Sequence, residues 1–178
     1  MNYSDEHLSK PFTIIIKIIL VVATLFIGFF LARMVIIPFK ISDDSMKPLL
    51  KAGDTVLILK HTKLKKGDIV LFDSPIEPGR VLLKRIIAGD MDTVEIRNKV
   101  VYINDLKFTF PWKVIHSDPR IFPLTFSNRD NLPAIRLKHG WYFLIGDNID
   151  NSFDSRNFGI INKDKIIGKM VRKFSSKK

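Results

Sequence analysis

A chain of 178 residues has room for one domain and small additions. With 46% hydrophobic residues it can bury a core, which excludes a disordered chain. Its 29 lysines and arginines against 18 acids leave a formal charge of +11; no basic run is interleaved with aromatics, so this excess fits a solvated or lipid-facing surface and not nucleic acid.

The first predicted element is a membrane helix. Ile14 to Ile37 is almost continuously apolar. As a helix it spans about 36 Å, enough for a hydrocarbon core of about 30 Å. Lys17 and Arg33 fall near its two ends, about 24 Å apart along the axis, where both can reach headgroups. The apolar stretch is too long for a cleaved leader and no A-x-A-like site follows it, so it reads as one uncleaved anchor. The flanking charges are Asp5, Glu6 and Lys10 before it and Lys40, Lys47 and Lys51 after it. A bare positive-inside count puts the following domain in the cytoplasm, a rule that weakens for long translocated domains.

After Pro38 the pattern turns to β. Asp54–Lys60, Asp68–Phe72, Val81–Ile87, Val94–Ile96 and Val100–Ile103 are short Val, Ile and Leu runs separated by turn residues. Lys51-Ala52-Gly53-Asp54 and Lys66-Gly67-Asp68 read as turns feeding strands, and Asn98-Lys99 and Asn104-Asp105 as hairpin turns. Phe110 to Arg136 carries Pro111, Pro119, Pro123 and Pro133 and reads as a loop-rich insertion. Trp141–Ile145 and Lys165–Val171 are closing strands. The fold class is mainly β: an N-terminal transmembrane helix, then an antiparallel β domain. The expected domains are a tail and anchor over 1–39 and a catalytic domain over 40–178, with the insertion at about 93–140.

The absence of cysteine excludes disulfides, thiolate catalysis and cysteine-bound zinc. His7, His61, His116 and His139 stand in unrelated contexts and are expected in loops or at the surface, so a histidine triad has little support. Three other stretches carry chemistry. Ser45 lies in SDDSMKPLL, just past the apolar segment. A serine needs a base to become a nucleophile. Lys84, in VLLKRII, is a single amine in an apolar run. On a strand it shares a face with Leu82 and Ile86, and such burial lowers a lysine pKa. Lowering it by about two units takes roughly 2.7 kcal/mol. Arg85 beside it keeps its proton and cannot serve. The third stretch is the polar loop GDNIDNSFDSRNFG, Gly146 to Gly159, in which Asp147, Asp150 and Asp154 do not have EF-hand spacing.

Together these stretches resemble the bacterial type I signal peptidases, the membrane-anchored serine–lysine peptidases. Ser45-Met46 with Pro48 resembles the nucleophile box, with Leu49-Leu50 where Thr-Leu is usual. Lys84-Arg85 resembles the base box. The turn after it departs from the family's G-x-P-G-D: in Ala88-Gly89-Asp90-Met91-Asp92 only Asp92 is in register. The polar loop resembles the last box, with Ile149 in place of arginine and Asn157 where tyrosine is frequent.

The resemblance implies that Ser45 is the nucleophile and Lys84 its base. It further implies that Ser152 hydrogen-bonds and orients the lysine, that Asp154 and Arg156 form a supporting ion pair, and that Ile41, Met46, Leu50, Leu82 and Leu83 line a pocket for a small residue. It implies no metal and no organic cofactor. The partners would be signal-peptide-bearing preproteins and membrane lipid, with the catalytic domain outside the cytoplasmic membrane. Asp43 stands where relatives carry serine or glycine; it is expected to turn away, leaving the Ser45 N–H as oxyanion donor. The alternatives are a peptidase dedicated to a pilin or secretion component and an inactive membrane-tethered binding relative. A soluble serine–lysine autoprotease would need a DNA-binding domain where this chain has an apolar helix.

Overall fold

Lys84 sits inside a nine-residue strand, Val81–Gly89, flanked by strands on both edges. The computed structural model describes residues 6–176, and within the long helix it leaves out the side chains of 6–11 and 30–34. The readings placed on Asp5, on the side chains of Glu6, His7 and Lys10, and on the Arg33 headgroup contact therefore lie outside the described residues.

The chain divides into two compact units, one ending at Ile37 and one beginning at Pro38. The first is a helix, α1 (Glu6–Val35). Its stretch Phe12–Phe29 has a mean hydropathy of 2.6 and no buried residue, and is long and apolar enough to cross a membrane. The helix ends two residues before the expected Ile37. Ile36 and Ile37 instead open β1 (Ile36–Lys40). The cause is local: proline cannot continue a helix, and the residue before it is pushed to extended backbone.

The remaining strands are β2 (Thr55–Leu59), β3 (Ile69–Asp73), β4 (Val81–Gly89), β5 (Thr93–Arg97), β6 (Val100–Ile103), β7 (Leu106–Lys107), β8 (Leu132–Arg136), β9 (Trp141–Ile145), β10 (Ile161–Asn162) and β11 (Ile166–Phe174). A four-residue helix, α2 (Ser155–Phe158), precedes β10. The larger sheet has the order β1-β2-β11-β3-β4-β9-β10, and the smaller β7-β6-β5-β8. Every pairing from β2 to β10, and every pairing in the smaller sheet, is antiparallel. β8 lies inside the stretch read as loop. It is an edge strand, where Pro133 is tolerated because an edge need not donate every N–H.

The predicted hairpin turns are tight and left-handed. Asn98 and Lys99 have φ of 48° and 69°, and Asn104 and Asp105 have 53° and 64°. The departure at residues 88–92 also closes. Asp90 and Met91 both take positive φ. The buried Asp92 carboxylate accepts the Gly89 N–H at 2.9 Å, the Asn104 amide at 2.9 Å and Lys66 Nζ at 3.1 Å. Hydrogen bonds accepted by one aspartate thus close the turn without the proline.

β4 feeds two apolar clusters. Leu82 and Ile86 join Val70, Phe72, Tyr142, Leu144 and Ile161. Ile87 and Ala88 join Val94, Ile96, Phe143, Ile145 and the smaller sheet. Each fully buried side chain of this size contributes about 1.5–3 kcal/mol, so the backbone at Lys84 is fixed from both faces.

Candidate active site

Ser45 lies in a run of turns over Asp43–Leu49, held at several points. The Lys47 N–H donates to Asp44 O at 3.1 Å and the Leu50 N–H to Met46 O at 2.9 Å. The Asn148 N–H donates to the Ser45 carbonyl at 2.9 Å, and the Asn148 amide to Asp44 O at 3.2 Å. The polar loop therefore straps the serine segment from behind. Lys84 is brought to it by β4. Its Nζ donates to Ser45 Oγ at 2.6 Å, with Lys84 2% and Ser45 6% exposed.

Burial pushes the Lys84 amine down from the usual lysine range. The carboxylates of Asp43 and Asp154 pull it back up, while the charges of Arg80 and Arg156 push it further down. The dominant cause is removal of the ammonium from water. A neutral amine can accept the serine proton through the same 2.6 Å contact.

Asp154 and Arg156 meet in a buried fork, with Arg156 Nε to Oδ1 at 2.8 Å and Nη2 to Oδ2 at 2.8 Å. Burial opposes ionisation of Asp154, but Arg156 and the surrounding donors hold its carboxyl below the usual range. Asp154 also receives the Gly146 N–H at 3.1 Å and caps α2. Arg156 reaches Ile149 O at 2.7 Å, so this pair sets the course of the loop. Ser152 Oγ is buried beside Asp154 and closes no hydrogen bond of regular geometry, to Lys84 or to any other group among the described residues.

A cleft of about 390 Å³ opens onto Ser45 and Lys84, lined further by Asp43, Asp44, Ser74, Glu77, Arg80, Leu82, Asn151 and Phe153. Of the apolar residues read as a pocket, Leu82 lines it. Ile41, Met46, Leu50 and Leu83 are buried and are not among its lining residues. Asn151, Phe153 and Arg80 line the cleft without having been singled out. Phe153 and Asn151 lay within a loop already marked as functional, whereas nothing near Arg80 in the sequence signalled it. His61, His116 and His139 are all exposed and line no part of the cleft.

One expectation is overturned. Asp43 does not turn away: its Oδ1 accepts the Ser45 N–H at 2.9 Å. Aspartate two residues before an open N–H closes this short ring readily, and nothing in the extended-strand reading of Asp43 and Ser45 accounted for the turn.

Comparison with known proteins settles the class. A profile of the signal peptidase family, peptidase S26, matches residues 13–174. The chain belongs to that family. Signal peptidase IB of Staphylococcus aureus is 32% identical to this chain over 168 residues, covering 88% of this chain and 87% of that protein. Signal peptidase I U of Bacillus subtilis is 33% identical over 163 residues, covering 88% and 83%. A signal peptidase I structure from Enterococcus faecalis V583 aligns with a TM-score of 0.48 and 27% identity, over 62% of this chain and 98% of that one. As a member of the signal peptidase family the protein is a serine peptidase, a hydrolase of peptide bonds, and its N-terminal helix is of membrane-crossing type.

Proposed function

We propose that this signal peptidase cleaves leader peptides from exported preproteins, using Ser45 as nucleophile and Lys84 as general base. The observation that carries this reading is the 2.6 Å contact between a buried lysine amine and a serine hydroxyl on the floor of a cleft.

The geometry supports the following steps. Neutral Lys84 takes the Ser45 proton as Oγ attacks the scissile carbonyl carbon. The tetrahedral oxyanion collapses, the C–N bond breaks, and the leaving amine takes the proton from Lys84. Water then attacks the acyl-serine ester, giving a proton to Lys84; as the ester C–O bond breaks, Lys84 passes that proton to Ser45 Oγ and the new carboxyl terminus leaves. Asp154 and Arg156 hold the loop that straps Ser45. Ser152, whose hydroxyl makes no hydrogen bond to Lys84 in this structure, would steady the lysine amine once that contact closes. The substrate enters as an extended strand. Leu82 and Phe153 supply the apolar wall of the cleft; Ile41, Met46, Leu50 and Leu83, which do not line it, enter the small-residue pocket on the family resemblance.

Residues 1–39 serve as tail and anchor and 40–178 as the catalytic domain, with 93–140 as an insertion. The helix holds the enzyme in the cytoplasmic membrane with the catalytic domain outside and against lipid, where leader peptides emerge. The test is cleavage of a preprotein with an A-x-A site by the detergent-solubilised protein. Ser45→Ala, Lys84→Met and Lys84→Arg should each abolish it, and the double loss should be no greater than either single loss. Cleavage retained in any single variant sinks the dyad. A reporter fused after Lys178 should be active only outside the cytoplasm.

A further inference from the structure

In a serine peptidase the backbone N–H of the nucleophile is a natural donor for the substrate carbonyl oxygen as it becomes an oxyanion. In this structure that donor is taken by Asp43 Oδ1, at 2.9 Å. One N–H cannot serve the carboxylate and the substrate oxygen together. An ionised carboxylate is also only an acceptor, so left in place it would repel the developing charge. The carboxylate must therefore leave for acylation to proceed.

The cleft offers it a destination. Asp43 is exposed, with solvent beside it. Arg80 lines the same cleft, close enough for its charge and that of Asp43 to act on one another. Arg80 meets Glu77 through Nη1 alone, at 2.8 and 2.7 Å. Its Nε and Nη2 have no hydrogen-bond partner among the described residues. The neighbouring acid, Asp44, is already paired with Lys47 at 2.8 Å.

We propose that Asp43 is a displaceable cap on the oxyanion donor: it holds the Ser45 N–H in the free enzyme and passes to the open fork of Arg80 when the substrate carbonyl arrives. Asp43 and Arg80 are thus positioning residues that act through Ser45, and the proposal rests on the serine–lysine reading given above. The cap fixes the nucleophile segment between turnovers and makes release of the donor part of substrate binding.

The experiment is steady-state cleavage of a preprotein by the full-length enzyme, with kcat taken on the alkaline plateau, where Lys84 is already neutral. Asp43→Ala should raise kcat by on the order of 10-fold, the strength of one hydrogen bond to a charged acceptor. Asp43→Asn keeps the acceptor without the charge, and should fall between wild type and Asp43→Ala. Arg80→Gln should lower kcat when Asp43 is present and have no effect in the Asp43→Ala background. An unchanged or lower kcat in Asp43→Ala overturns the cap. Equal values for Asp43→Asn and Asp43→Ala reduce it to charge repulsion and overturn it too, as does an Arg80→Gln effect that survives in both backgrounds. Should Asp43→Ala fold poorly, Asp43→Asn and Arg80→Gln decide alone: the former must exceed wild type and the latter must fall below it. Ser45→Ala in the same assay separates the two failures, because cleavage there removes the serine–lysine reading itself.

Discussion

Lys84 and Arg85 are neighbours on β4 whose side chains run to different partners: Lys84 to Ser45 Oγ at 2.6 Å, Arg85 to Asp147 at 2.8 and 2.5 Å. Strand alternation divides them. Burial pushes the lysine amine down from its usual range, since a buried ammonium is disfavoured. The arginine keeps its charge and needs a full set of acceptors. It takes both Asp147 oxygens and Gly67 O at 2.8 Å, and lies 4.4 Å from the Trp112 ring centroid. One dipeptide thus supplies a reactive group to one partner and a structural anchor to the other.

The first prediction concerns stability. Lys84 is lowered in the folded state, while an unfolded lysine titrates near about 10.4. Between the lowered value and about 10.4 the unfolded chain binds more protons, so wild-type stability rises with pH. Lys84→Met lacks this dependence. It should be inactive yet melt higher than wild type at neutral pH, by about 1.4 kcal/mol for each unit of depression. The gap should close as pH approaches 10.4. Melting curves of both proteins in the same detergent at neutral and alkaline pH decide it; a variant less stable at neutral pH would mean that the lysine is buried charged.

Lys84 was legible in sequence because burial on a strand is written in alternation: Leu82 and Ile86 bracket it. The paired hairpin turns were legible because Asn and Asp tolerate positive φ. The partner of Arg85 was not, since Arg85 and Asp147 are brought together by strand pairing of β4 with β9, where Arg85 stands opposite Ile145. Nothing local specifies that register. β8 was hidden by Pro133, which argues against a strand unless the strand is known to be an edge. The Asp43 bond was missed for a different reason. It depends on whether Asp43–Ser45 is extended or turned, and the turn is fixed from outside, by Asn148 holding the Ser45 carbonyl and the Asp44 carbonyl.

The second prediction is a pair of opposed pH shifts. The charges acting on Lys84 are Asp43 and Asp154, which raise it, and Arg80 and Arg156, which lower it. Activity should rise with pH as Lys84 loses its proton. Asp43→Ala removes a raising charge and should move that acid limb to lower pH. Arg80→Gln removes a lowering charge and should move it to higher pH. Both changes are read from the pH profile of kcat. Shifts of the same sign, or none, would show that the limb belongs to another group.

The third prediction separates anchor from chemistry. Burial pushes the Asp147 carboxyl up, and Arg85, by hydrogen bond and charge, pulls it back toward its usual range. Arg85→Leu leaves that carboxylate buried and alone, and should cost about 3–5 kcal/mol. Arg85→Leu with Asp147→Leu removes both charges and should recover much of the loss. Denaturant titrations of the two variants measure this. The folded fraction of the double variant should retain a strapped Ser45, so its kcat should fall far less than its stability changed on loss of one partner.

The fourth prediction turns on a single hydrogen atom. Gly146 begins the polar loop directly against the nucleophile segment. A Cβ built there would stand 2.6 Å from the Ser45 carbonyl oxygen and 2.2 Å from Ser152 Oγ. Both are well inside van der Waals contact. The Gly146 N–H is meanwhile fixed to Asp154 at 3.1 Å, inside a pair buried from solvent, so the glycine cannot easily retreat. The element that gives way is the Ser45 segment. Displacing reacting atoms by about 1 Å can cost on the order of 10²-fold in rate. Gly146→Ala should therefore fold, with the β circular dichroism of wild type, and lose at least that much in kcat. Adding Ser152→Ala removes the 2.2 Å clash but leaves the 2.6 Å one with Ser45 O and a 2.7 Å one with the Cβ of residue 152, so the double variant should recover only part of the loss. Full recovery would mean that the Ser152 hydroxyl, and not the Ser45 backbone, is what Gly146 makes room for.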